Sequence, residues 1–267
     1  MNTDVIASEL LAALDQNAMI EPFTDRDDTF NPDAAYRVGA EILRRRRARG
    51  ETPIGRKIGF TNRTIWAEYG VWSPMWAHVY DSTVTCLDER TGTVSIGHLA
   101  QPRLEPEIVL HFESAPDAHE DERALLSHID WIAHGCEIVQ SHFPNWKFKA
   151  ADTIAAFGLH GALIVGPKCP VGRFDDLVGA LRTFTIRLTT GGSVRAEGGG
   201  ANVLDSPLLA AAHLLRVLAN QPEFAPVQAG ELVTTGTLLS PPLIHAGETW
   251  ITELSGIDLP GLTVHVE

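Results

Sequence analysis

From the amino end, Ile6, Leu10, Ala13 and Leu14 recur at helical spacing, which predicts an opening helix. A second helix is predicted from Pro32 to about Arg47. Asn31 precedes a proline suited to a first turn, Tyr36, Ile42 and Leu43 are its buried candidates, and Gly50 ends it. From Gly55 onward the pattern shortens. Apolar runs at 83–87, 104–112, 137–139, 162–165, 184–188, 232–239 and 249–254 are punctuated by Gly, Pro and Asp, as strands are. Two helices are expected among them, one over 122–134 and one opening at Ser206-Pro207 and running through Leu209, Leu215 and Leu218. The pattern therefore predicts an α+β chain, with a helical N-terminal region over 1–85 and a β-rich domain over 86–267.

The most informative run is Arg103-Leu104-Glu105-Pro106-Glu107-Ile108-Val109-Leu110-His111-Phe112, because alternate residues of a strand share a face. Leu104, Pro106, Ile108, Leu110 and Phe112 form an apolar face, and Glu105 and Glu107 point together the other way. Adjacent carboxylates repel unless a cation lies between them, one is protonated, or both are solvated, and for the pair taken alone a plain solvent face is the simpler reading. Glu137 lies in the apolar segment Gly135-Cys136-Glu137-Ile138-Val139, where an unpaired acid is costly. It pairs with a lysine such as Lys147 or Lys149, or it joins Glu105 and Glu107 in a hard-oxygen site suited to Mg²⁺ or Mn²⁺. Lys57, between Gly55 and Gly59 and followed by apolar residues, is either a surface charge or a partly buried amine with a lowered pKa. The aromatic run ending at Asp81 holds Trp72 and Trp76, as a pocket wall or as core or subunit packing.

Composition narrows the field. Among 267 residues, 21 Lys and Arg against 34 Asp and Glu give a net charge of −13, which repels nucleic acid and anionic membrane. The basic run Arg44 to Arg47 falls at a helix C-terminus, where cations are favoured. Cys86, Cys136 and Cys169 are widely spaced and encode neither a disulfide framework nor a zinc knuckle. With no basic leader and no long apolar run, the chain is expected to be cytoplasmic. Gly198-Gly199-Gly200 lacks the spacing of a dinucleotide fingerprint, and there is no Gly-x-Ser-x-Gly elbow.

Taken together these segments resemble the 2-keto-4-pentenoate hydratase and 2-oxo-3-hexenedioate decarboxylase family of the fumarylacetoacetate hydrolase superfamily. Arg56-Lys57-Ile58-Gly59-Phe60-Thr61 is similar to its Lys-Ile-Gly-Leu-Thr segment, and Pro102-Arg103-Leu104-Glu105-Pro106-Glu107-Ile108 to its Pro-Arg-Val-Glu-x-Glu-Ile strand. Glu137-Ile138-Val139, Asp152-Thr153-Ile154 and the segment from Ala229 to Thr237 follow in the same order. The resemblance implies a mixed β-roll or β-sandwich body and a homo-oligomer acting on a small 2-oxo acid. It also implies Mg²⁺ (or Mn²⁺) on Glu105, Glu107 and Glu137, proton transfer by Lys57, and Asp81 lining the site. Where the family commonly reads Asp-Asn-Ala-Ser-Ser-Gly, this chain has Ala156-Phe157-Gly158-Leu159-His160-Gly161. Trp72, Trp76, Phe157, Leu159, His160 and Thr237 are the expected substrate contacts, and an apolar tail is expected to be preferred to a second carboxylate. The expected reaction is metal-dependent addition of water to a 2-hydroxy-2,4-dienoate or 2-oxo-enoate, giving a 4-hydroxy-2-oxo acid. Decarboxylation of a 2-oxo-3-enedioate, acylpyruvate carbon–carbon hydrolysis with His160 activating water, and a non-catalytic partner subunit are the alternatives.

Overall fold

The computed structural model describes residues 2–267. Asn2 caps α1 (Thr3–Gln16) by accepting from the Asp4 N–H at 2.8 Å, and Asn31 caps α3 (Pro32–Ala48) through the Ala34 N–H after the short α2 (Phe23–Arg26). Ile6, Leu10, Val38 and Ile42 carry these helices into the main core. The basic end of α3 is less solvated than its sequence suggests. Arg46 is buried, lies 3.8 Å above the Tyr80 ring and pairs with Glu51.

The strands are β1 (Pro53–Gly59), β2 (Met75–Tyr80), β3 (Val84–Cys86), β4 (Thr91–Val94), β5 (Arg103–Phe112), β6 (Ile129–Val139), β7 (His160–Val165), β8 (Cys169–Pro170), β9 (Thr185–Thr190), β10 (Ser193–Gly199), β11 (Leu232–Thr234), β12 (Thr249–Ser255) and β13 (Thr263–Val266). Eight of them form a curled mixed sheet in the order β2-β1-β11-β5-β6-β7-β3, with β8 on β6, and five form a second sheet, β10-β9-β12-β13-β4. The remaining helices are α4 (Trp66–Tyr69), α5 (Glu122–Leu126), α6 (Ala150–Ala155), α7 (Leu177–Thr183) and α8 (Pro207–Ala219). Ser206 caps α8 through the Leu208 N–H, as its Ser-Pro start predicts.

Two expectations need correction. A boundary at residue 85 does not separate helix from sheet, because β1 and β2 belong to the large sheet and β1 pairs in parallel with β11 near the other end of the chain. The helix expected over 122–134 stops at Leu126, and Ile129–Val139 is a strand. β6 lies between β5 and β7 with both faces covered, so its sequence lacks the alternation that marks a strand with one wet face.

In β5 the alternation does hold. Leu104, Ile108, Leu110 and Phe112 enter the main core, while Val109 on the other face packs with Ala133, Leu163, Val165 and Leu232. That second face carries Glu105 and Glu107. All three cysteines are free, and no described helix is long and apolar enough to cross a membrane.

Candidate metal centre and active site

Glu105 on β5 stands directly opposite Glu137 on β6, and Glu107 follows one pleat further along, opposite Gly135. Each of the three offers a carboxylate oxygen within 4.8 Å of the others. Like charges paired across strands destabilise a sheet, so the arrangement requires compensation. Lys57 on β1 supplies part of it. Its Nζ lies 2.8 Å from Glu137 Oε2, and both side chains are almost wholly buried. Glu137 thus pairs with Lys57, not with Lys147 or Lys149.

β11, which lies between β1 and β5, and the turn that follows it supply the rest. The Thr234 hydroxyl and the Gly236 N–H, the latter at 2.7 Å, both donate to Glu107 Oε2, whereas Glu107 Oε1 is buried with no partner. Gly236 has φ +99°, and a Cβ there would stand 1.9 Å from Thr61 Oγ1, so only glycine brings its N–H to this oxygen.

Burial and the neighbouring carboxylates push Glu107 well above the ordinary carboxylate range. Burial also pushes Glu105 up to about 7, against the pull of Lys57. Glu137 is buried as well, but Lys57 and His160 outweigh that and hold it at about 2. Burial opposes the Lys57 ammonium, yet the three carboxylates prevail and raise its pKa, contrary to the lowered value anticipated from its apolar setting. Without a cation the cluster therefore retains protons. Three hard oxygen donors, one buried oxygen lacking a partner and excess negative charge fit a divalent ion such as Mg²⁺ or Mn²⁺.

Lys57 and Glu105 open onto a small pocket whose walls include Phe60, Met75, Trp146, Leu159 and Thr237. The turn Phe157–Leu159 forms one edge, with left-handed φ of 59°, 61° and 62° at Phe157, Gly158 and Leu159. A Cβ on Gly158 would lie 2.8 Å from Ala77 Cβ and 3.2 Å from Lys57 Cδ, so the turn closes directly over the lysine stem. Such strain persists where the surroundings impose it, and it concentrates at functional sites.

Several expected site residues lie elsewhere. Asp81 is exposed just past the end of β2, where its carboxylate accepts the Thr52 N–H at 3.0 Å, so it does not line the cluster. Trp72 is 66% exposed. Trp76 stacks on Tyr36 and donates to Gln221, and with Phe157 it lines a separate apolar pocket. His160 is buried beneath Glu137, out of the pocket wall. The sequence reading missed Thr83, Thr234, Phe60, Tyr69 and Trp146. For Thr234 the signal available was the Thr-Thr-Gly-Thr run that closes a short apolar segment.

The family model for the C-terminal domain of fumarylacetoacetate (FAA) hydrolase matches residues 74–266, and the chain belongs to the fumarylacetoacetate hydrolase family. It is similar to 2-keto-4-pentenoate hydratase 1 of Dechloromonas aromatica (strain RCB), 29% identical over 259 residues, which cover 96% of this chain and 95% of that protein. It is also similar to 4-oxalocrotonate decarboxylase of Pseudomonas putida, 27% identical over 226 residues, 84% of this chain and 81% of the other. Its fold resembles that of 4-oxalocrotonate decarboxylase from Pseudomonas putida G7, complexed with magnesium and adipate. The TM-score is 0.88 at 24% identity, covering 99% of this chain and 97% of that one.

Proposed function

We propose that this protein is a divalent-metal-dependent hydratase that adds water to a 2-hydroxy-2,4-dienoate or 2-oxo-enoate to give a 4-hydroxy-2-oxo acid. The observation that carries the proposal is the convergence of Glu105, Glu107 and Glu137 beside a buried Lys57, with one glutamate oxygen unpartnered. The hydratases and decarboxylase among its relatives support the same class of reaction. The three glutamates would hold Mg²⁺ or Mn²⁺. An ion held there would supply Lewis-acid stabilisation of the negative charge that develops on the substrate.

Lys57 holds a proton at Nζ beside the pocket. Passing it to C5 of the dienol while the 2-hydroxyl proton leaves gives the 2-oxo-3-enoate. Water then adds its hydroxyl at C4 and its proton at C3. Apolar walls at Phe60, Ile65, Met75, Val139 and Leu159 exclude stray water and suit an apolar tail. The reading includes a cytoplasmic homo-oligomer, for which light scattering is the check.

One observation favours a second reading. Arg103 lies on the same face of β5 as Glu105, stacks 4.8 Å from the Trp146 ring and holds the Tyr69 hydroxyl at 2.8 Å, with a buried Nε that has no partner. A cation there suits the far carboxylate of a dicarboxylic substrate, as a decarboxylase needs. Against this, Arg103 is engaged by Pro241 O at 3.1 Å and lies behind the pocket wall. A substrate panel with and without Mg²⁺, followed for loss of dienol absorbance and for CO₂ release, decides between them. Water addition to an alkyl 2-hydroxydienoate is expected to dominate. Faster CO₂ release from 2-oxo-3-hexenedioate establishes the second reading, and no metal-dependent turnover of any member refutes both.

A further inference from the structure

His160 touches neither solvent nor the pocket. Its Nδ1 is 2.7 Å from Glu137 Oε1 and its Nε2 is 2.8 Å from Thr83 Oγ1. An ionised carboxylate can only accept, so Nδ1 carries the proton. In the neutral ring Nε2 must then accept, which makes the Thr83 hydroxyl the donor. Thr83 Oγ1 accepts from the Tyr80 N–H at 3.4 Å, and its single hydroxyl proton has two acceptors in reach, the Tyr80 carbonyl oxygen at 3.1 Å and the nearer His160 Nε2, which the neutral ring requires it to serve. Hydrogen bonding therefore runs in one direction, from Thr83 to His160 to Glu137. The other oxygen of Glu137 is held by Lys57. With each oxygen gripped from a different strand, the carboxylate cannot turn.

The backbone is shaped for this contact. β6 and β7 pair in regular register from Gly135–Val165 to Ile138–Ala162, and then Val139 pairs with His160. Gly161 is thus an extra residue, a bulge. In an unbroken strand, Leu163 and Gly161 would share the face of Glu137 and His160 would point away. The bulge reverses the parity beyond it and brings His160 onto the glutamate's side, a recognised use of such irregularities. Only glycine fits in the bulge, because a Cβ on Gly161 would come within 2.7 Å of Ile138 O.

We propose that the Gly161 bulge, His160 and Thr83 form a positioning device that presents Glu137 as a cation ligand, and that His160 is not a substrate contact or a water-activating base. The inference rests on the metal-site reading above and deepens it. Partners that orient a ligand from behind are commonly worth about 10- to 100-fold in metal affinity.

The test uses the full-length protein and Mn²⁺ as the probe, with the free ion measured by electron paramagnetic resonance and the apo fold by thermal melting. His160→Leu should weaken Mn²⁺ binding by about 10- to 100-fold. His160→Asn, whose Nδ2–H stands near the lost Nδ1–H, should recover most of that loss, which a merely space-filling role would not allow. Thr83→Val should weaken binding in the same direction, and Thr83→Ser should restore it. If the wild type takes up no Mn²⁺, the metal reading fails and this inference falls with it. If the wild type binds and His160→Leu binds equally well, the metal site stands and the positioning role is refuted. Should His160→Leu not fold, the Thr83 pair decides, and equal affinity of Thr83→Val and Thr83→Ser overturns the inference.

Discussion

Titrating Mg²⁺ into the protein across pH 6 to 8 tests the electrostatics of the carboxylate cluster. In the cation-free protein burial pushes Glu105 up to about 7, and burial with the neighbouring carboxylates pushes Glu107 well above the ordinary carboxylate range. A cation held by oxygen needs these groups ionised, so binding near neutrality must release protons. For Glu105 alone, lowering the pH from 8 to 6 should weaken Mg²⁺ about tenfold, and Glu107 adds to that. The effect on the fold has a definite sign. A carboxyl raised from 4.5 to about 7 contributes stability at low pH that is lost as pH rises through that interval, up to about 3 kcal/mol. This is an upper bound, since Glu105 is partly open to the pocket. Glu137 has the opposite sign, but its stabilisation is lost only as pH falls towards about 2, outside the window. Chelator-treated protein should therefore lose the remainder of this contribution, about 1.4 kcal/mol, between pH 6 and 8, and saturating Mg²⁺ should offset that loss increasingly with pH. Calorimetric titration in two buffers of different ionisation enthalpy counts the protons released. A flat affinity with no buffer dependence would refute the reasoning.

Other outcomes follow from the same geometry. Lys57→Met should cut turnover by about 10²-fold or more. It should leave Mg²⁺ binding measurable, because the three glutamates and the His160 contact to Glu137 remain; unchanged kcat would remove Lys57 from the chemistry. Gly236→Ala, which forces a Cβ onto Thr61 and draws the N–H away from Glu107, should lower the melting temperature, with a cost of about 1–3 kcal/mol. Asp81→Asn should leave kcat/KM near the wild-type value, since that carboxylate is exposed and engages Thr52; a large loss would return Asp81 to the site.

What the sequence disclosed depended on how far each inference had to reach. The face shared by Glu105 and Glu107 was legible because it follows from the period of a single strand, and Leu104 to Phe112 show the matching apolar face in the core. Glu137 and Lys57 could be singled out as costly in their apolar surroundings, but their pairing spans 80 residues and no local pattern encodes it. Asp81 and Trp72 were misplaced for a related reason. Richness in aromatics marks a buried segment without saying which side chains turn inward, and the last residue of β2 is Tyr80. His160 was noticed only as a departure from a family pattern. Its true direction depends on a one-residue bulge, and a strand read by parity alone points it the wrong way.

The parallel pairing of β1 with β11 bears on how the protein acquires its site. Gly55 pairs with Leu232 and Lys57 with Thr234, so the strand that carries the lysine is closed by a segment synthesised long after it. Forming this contact means closing a very long loop before any compensating interaction is gained, which makes it a slow and late step. A nascent chain that has exposed both β5 and β6 already contains all three glutamates, yet it has neither the β1–β11 register that sets Lys57 against them nor the Gly236 N–H that steadies Glu107. Cation capture in refolding should accordingly coincide with the final cooperative phase, giving a spectroscopic marker of completion and not of collapse.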